Sequence, residues 1–175
     1  YDITKIIGIH FKRTKELTMK KFTALLGTAV LCLTAATANA AERPDVYVVK
    51  FRANDCATCA VMDSQLDNAM SMVRSNKVEL VTIDTSNALK WEVSAHTAFD
   101  RNIAPQYNKW AGKTGFVAVI DRASQRTLGC FSEKQDVYKQ ANFIKAAAGL
   151  PHDQAVSNRS AEFRCPAAQN VDTGK

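Results

Sequence analysis

No apolar run in this 175-residue chain invites assignment as a membrane span; the stretch from Phe22 to Thr34 is too short to cross a bilayer comfortably. Charge of one sign is also scarce where it would matter. The chain carries 23 basic and 17 acidic residues, of which the first 40 hold six and two, leaving 17 and 15. A net charge of +2 over the remainder gives no case for nucleic-acid binding. Metal ligands are thin on the ground. Around Cys56-Ala57-Thr58-Cys59, a zinc site would need two more Cys or His at suitable spacing, and the later cysteines, Cys130 and Cys165, are isolated. Met62 and Met70 fall on a helical stripe rather than in an exposed cluster, which argues core packing over copper. No proline occurs between Pro105 and Pro151, and there are no internal repeats.

What is present begins with a leader. Met19-Lys20-Lys21 is a basic start, Phe22 to Thr34 an apolar centre, and Ala38-Asn39-Ala40 an A-x-A cleavage site. These parts predict a secretory signal peptide over 19–40, cleaved before Ala41, with 1–18 lying upstream of the true start. The alternative is a genuine N-terminal extension with a signal anchor at 22–34. Cys32 would leave with the leader, and Ala29-Val30-Leu31 before it does not resemble a lipidation signal, so no lipid anchor is expected. The expected destination is the periplasm, or alternatively the medium, and disulfides persist in either. About 135 residues remain, enough for one core: a domain over 41–151 and a polar tail over 152–175.

The domain is organised around Val46 to Met62, VYVVKFRANDCATCAVM. Val46, Val48, Val49 and Phe51 read as a strand, a polar turn follows, and a helical pattern starts near Cys56 with Asp55 as N-cap. Unpaired N–H groups and the positive end of a helix stabilise a thiolate, so Cys56 is the expected nucleophile and Cys59 the resolving thiol. Half of a zinc site is the competing reading of the same motif. Four cysteines allow three pairings, and Cys56–Cys59 with Cys130–Cys165 is the one that leaves a local redox pair intact. The second bond would be structural, tying a poorly packing tail to an edge strand.

Further along, Met62, Leu66, Ala69, Met70 and Val73 form the inward stripe of a helix running to about Arg74. Strands are predicted over 78–83, 116–120 and 127–131, and a last helix over 133–148 with Ser132 as N-cap. Residues 84–97 read as a loop-like insertion in which Trp91 buttresses the core, and a helix follows from Thr97 to Ala111, kinked or restarted at Pro105. The crossover rule makes the first two strands parallel neighbours, and the short turn at 122–126 pairs the last two antiparallel. The result is an α/β fold, a four-stranded mixed sheet with helices on both faces and the dithiol beyond the carboxyl end of the first strand.

In this order of elements, with strand–CxxC–helix, Ile83-Asp84 and Ala104-Pro105-Gln106-Tyr107, residues 46–151 resemble the thioredoxin family. The resemblance implies a thioredoxin-like fold and thiol–disulfide exchange on protein thiols or disulfides, with no bound cofactor or metal, and a membrane redox partner as a further candidate. Three departures bear on the chemistry. Lys50 stands where the family has a buried aspartate; pointing inward it would favour a thiolate, pointing outward it would snorkel to water. Asp55 stands where the family has a tryptophan, and its charge would raise the pKa of Cys56 unless it is engaged as a cap. The family's cis-proline opposite the dithiol is replaced by Lys113 or Thr114, depending on which flank is matched, making these two the substrate-docking candidates. His96 is a weaker candidate partner for Cys56. Two other functions stay open: a redox-inactive partner-binding or assembly domain with a structural disulfide, and a copper or zinc chaperone using Cys56, Cys59 and a loop ligand.

Overall fold

Val46, Val48, Tyr47, Val49 and Phe51 are all buried in the first strand, β1 (Val46–Arg52), which is possible only if both faces of the sheet are covered. In a computed structural model, which describes residues 43–157 and 162–168, they are covered. The expected leader and cleavage site lie outside the described residues. β1 is flanked by β2 (Val78–Asp84), parallel to it, and by β3 (Phe116–Asp121), antiparallel; β4 (Thr127–Phe131) closes the edge antiparallel to β3. The order β2-β1-β3-β4 is the mixed sheet expected, and the arrangement is consistent with a thioredoxin-like fold.

Alternation along the strands divides the core in two. Val46 and Val48 of β1 and Val117 and Val119 of β3 meet Met62, Leu66, Ala69 and Val73 of α1 (Cys59–Val73) and Ala141 and Ile144 of α4 (Val137–Ala147). Tyr47, Val49, Phe51, Ala118 and Ile120 face the other way. They pack on Ala98 of α2 (Ala88–Asp100) and on Ile103 and Trp110 at either end of α3 (Ala104–Trp110). A short α5 (Gln154–Ser157) follows α4.

Three local expectations are corrected. The 84–97 segment is not a loop: most of it is α2, capped by the Asn87 side chain accepting from Lys90 N at 3.0 Å. Only Ser94 and Ala98 of this helix are buried, while Leu89, Val93 and Phe99 stand in solvent, so its apolar residues carry no inward stripe. The helix expected from Thr97 starts at Ala88 and breaks at 101–103, where Asn102 takes φ +58°; the restart expected at Pro105 is found, the proline lying in the first turn of α3, where a missing N–H costs nothing. α4 starts at Val137 rather than 133; Asp136 caps it by accepting from Lys139 N at 2.9 Å, and Ser132 instead donates its N–H to Gln135 Oε1 at 2.9 Å.

A candidate dithiol site

The strand-to-helix turn sets the geometry. After Arg52 the chain turns through 53–58, with Cys56 N donating to Ala53 O at 3.4 Å and Cys59 N to Cys56 O at 3.3 Å. α1 therefore begins at Cys59, three residues later than the sequence suggested, and Thr58 rather than Asp55 holds the N-cap position. The Thr58 side chain makes no capping bond, and Asp55 is exposed. The first-turn N–H groups of α1 thus keep the positive helix end directed toward the turn that carries Cys56. Cys56 and Cys59 are joined in a disulfide with their Cα atoms 5.4 Å apart. Cys56 is half-buried and Cys59 is 4% exposed, so the outer sulfur is the one an incoming group meets first.

The opposite wall is a residue that sequence reasoning did not single out. Gly115 precedes β3 with φ +78°, and its N–H donates to Phe51 O at 2.9 Å. A Cβ there would lie 2.6 Å from Thr58 Oγ1 and 3.4 Å from Cys56 Sγ, so only glycine lets the backbone come this close. The signal was available: a lone glycine immediately before an all-apolar strand marks close backbone approach. Lys113 and Thr114 belong to the same turn, and Thr114 lines cavities on both sides of it. Beneath the turn, Phe51 stacks on Phe116 at 4.7 Å and Trp110 meets both rings edge-on at 5.9 and 5.7 Å. That cluster anchors both strands that frame the sulfurs.

Lys50 shares the β1 face of Val46 and Val48, and its Nζ pairs with Asp63 Oδ1 of α1 at 3.1 Å. Asp63 also meets Arg52 Nε at 3.4 Å, and Arg52 Nη1 reaches Asp84 Oδ2 at 3.4 Å. The lysine thus neither snorkels freely nor stands alone as a cation under the dithiol; an acid on α1 balances it. Burial works against the charged form of Asp84. Hydrogen bonds from Ser86 and Lys90 outweigh that cost and hold the carboxyl at about 2.

Asp55, Thr85, Trp91 and Gly112 border a cavity of about 280 Å³ on one side of the turn. Trp91 is 38% exposed and meets Tyr107 edge-on, so it is a wall of this cavity rather than the core buttress expected. On the other side lies a cavity of about 460 Å³, between the turn, β4 and the segment 163–166. That segment is strapped onto β4. Cys130 is bonded to Cys165, Cys130 N donates to Phe163 O at 2.9 Å, Phe163 stacks on Phe143 at 4.0 Å, and Trp110 Nε1 donates to Pro166 O at 3.0 Å. His96 is exposed on α2, and the polar neighbour of Cys56 Sγ is Thr58 Oγ1 at 3.9 Å. Among the described residues, no three His, Cys, Asp or Glu side chains cluster to hold a metal, and no helix is long and apolar enough to cross a membrane. Comparison with protein-family models, curated proteins and solved structures finds no match to this chain.

Proposed function

We propose that this protein is an exported thiol–disulfide oxidoreductase of thioredoxin-like type, acting on protein thiols and disulfides through Cys56 and Cys59. The observation that carries the reading is the pairing of a half-buried Cys56 sulfur, ahead of a helix start, with a buried Cys59 behind it and the Gly115 backbone opposite. In the reducing direction the Cys56 thiolate attacks one sulfur of a substrate disulfide, forming a mixed disulfide and releasing the other substrate sulfur as a thiolate. Cys59, deprotonated, then attacks Cys56 Sγ; the second substrate thiolate departs and the Cys56–Cys59 bond is formed. Each step exchanges one S–S bond for another, and the reverse sequence oxidises a substrate dithiol. The positive end of α1 favours negative charge on the Cys56 sulfur, the form in which it attacks and leaves. The signal-peptide pattern over 19–40 supports delivery to the periplasm, where both disulfides would survive.

Expression of the full chain with Cys59→Ser tests this directly. Mixed disulfides with exported proteins should accumulate on Cys56, and the wild type should oxidise or reduce a test dithiol peptide. No trapped partner together with an inert wild type would replace this reading with a redox-inactive partner-binding domain. Mass spectrometry of the exported form should show a start at or near Ala41; retention of 22–34 would make that segment an anchor.

A further inference from the structure

The 460 Å³ cavity beside the docking turn is apolar in its walls and one-signed in its charge. Phe116, Phe131 and Pro166 supply the walls, Lys113 and Arg164 the charge, and no acidic residue lines it. Several cations near the sheet are neutralised: Lys50 and Arg52 by Asp63, Arg101 by Glu79, and Lys139 by Glu162. Lys113 and Arg164 have no acidic partner among the described residues. Arg164 reaches this place only because the strap is fixed on both sides of it, by the Cys130–Cys165 bond and Phe163 O on β4 and by Trp110 on Pro166. The backbone of Arg164 is therefore fixed while its side chain is exposed, and a guanidinium can take a carboxylate in a two-point bond.

The cavity and the dithiol share the turn before β3. Thr114 lies in its wall, and the next residue, Gly115, is the one whose Cβ would come within 3.4 Å of Cys56 Sγ. A substrate lying extended along the turn, its cysteine at Cys56, advances about 3.3 Å per residue. A side chain one or two residues from that cysteine is the part of the substrate we infer to reach the cavity. Its volume lies in the range of roughly 300–1,000 Å³ usual for ligand sites.

We propose that this cavity is a subsite for an acidic side chain next to the reacting cysteine of a protein substrate, bound by Arg164 and Lys113 against the apolar walls. The assignment rests on the exchange reading above and adds a substrate class to it: extended segments bearing Asp or Glu beside a cysteine. Arg164 is a specificity residue, remote in sequence from the motif and delivered by the second disulfide.

The test uses the full-length exported protein, its Cys56–Cys59 pair reduced and Cys130–Cys165 intact, and three mixed-disulfide peptides differing only in Glu, Gln or Lys two residues from the cysteine. Exchange should run Glu faster than Gln faster than Lys, with a spread of about tenfold that shrinks with added salt. Arg164→Glu should invert the order while leaving the rate with dithiothreitol unchanged. Arg164→Gln, the milder variant, should flatten the order if the reversal disturbs folding. Free glutamate at millimolar concentration should not compete, because a substrate chain anchors the side chain covalently; full competition would make the cavity a small-carboxylate site and overturn the assignment. Equal rates for the three peptides in an otherwise active protein, or an Arg164→Glu variant slowed equally with every substrate and with dithiothreitol, would overturn the subsite and leave the exchange reading standing. A wild type inert to dithiothreitol and to all three peptides would remove both.

Discussion

The two disulfides of this domain are the same bond in opposite settings. Cys56–Cys59 spans three residues at a turn, with one sulfur half-buried and a helix starting at its second cysteine. Cys130–Cys165 spans 35 residues, begins in a β-strand at 1% exposure and lies beside a stacked pair of phenylalanines. Opening the first releases a loop that is already short, so its cost in chain entropy is small; opening the second frees a strap. Each pair has one buried sulfur, Cys59 or Cys130, and one half-buried partner, Cys56 or Cys165; the setting that differs is the helix start, which follows Cys56 and would favour its thiolate on the exchange reading proposed above. On the exchange reading proposed above, a cysteine's role is set by the element that carries it, and each prediction below separates the two bonds or weakens the contrast between them.

The largest effect is expected at the outer sulfur. Cys56→Ser should lower exchange by at least about 1,000-fold, and Cys130→Ala with Cys165→Ala should leave the reaction with dithiothreitol within a few-fold, since nucleophile and resolving thiol are both local. A stopped-flow assay on the reduced proteins distinguishes them. Stability should respond in the opposite sense. Loss of the 35-residue bridge should cost about 3–4 kcal/mol by chain entropy, read from urea unfolding, against a much smaller change on reducing Cys56–Cys59.

Gly115→Ala sharpens the contrast from the other wall. Its left-handed φ and the 2.6 Å approach to Thr58 Oγ1 should cost about 1–2 kcal/mol and slow exchange at Cys56 while leaving Cys130–Cys165 intact. Combining it with Thr58→Ala should recover part of the stability, because the nearest obstructing atom is then gone.

The smallest effect belongs to the charge network behind β1. The Asp84 carboxyl is held at about 2, below its usual 3.8, so its stabilising contribution is fully present above pH 4 and is lost as pH falls from about 4 to 2. Between those pH values the wild type should lose about 1 kcal/mol more than Asp84→Asn, the gain being reduced by solvent screening. Acid-induced unfolding of the two proteins provides the measurement.

Strands and topology were readable because β1 and β3 are apolar on both faces, a pattern that only a doubly covered sheet explains. α2 was not, because Leu89, Val93 and Phe99 lie on its solvent side and Trp91 walls a cavity; the residues that carry periodicity in an ordinary helix point away from the core. The dithiol itself was legible from its spacing. Its surroundings were less so: the helix start shifted to Cys59 because the 53–58 turn takes up more chain than a cap needs, and Asp55 ended in solvent. The missing proline points to Lys113 and Thr114, two residues and one residue short of Gly115. The covalent tie of the strap, Cys130–Cys165, was legible in the even cysteine count; Phe163, 4% exposed and the buried residue of the tail among those described, was not, because it stands alone in a polar stretch.

The central claim is that one disulfide is made to exchange and the other to hold. Equilibrating the folded protein in a series of glutathione buffers, quenching by alkylation and mapping the peptides reads both bonds in one experiment. Cys56 and Cys59 should become labelled over a well-defined redox interval while Cys130 and Cys165 remain joined and the fold unchanged by circular dichroism. Labelling of Cys130 and Cys165 first, or of all four cysteines together only as the protein unfolds, would contradict it.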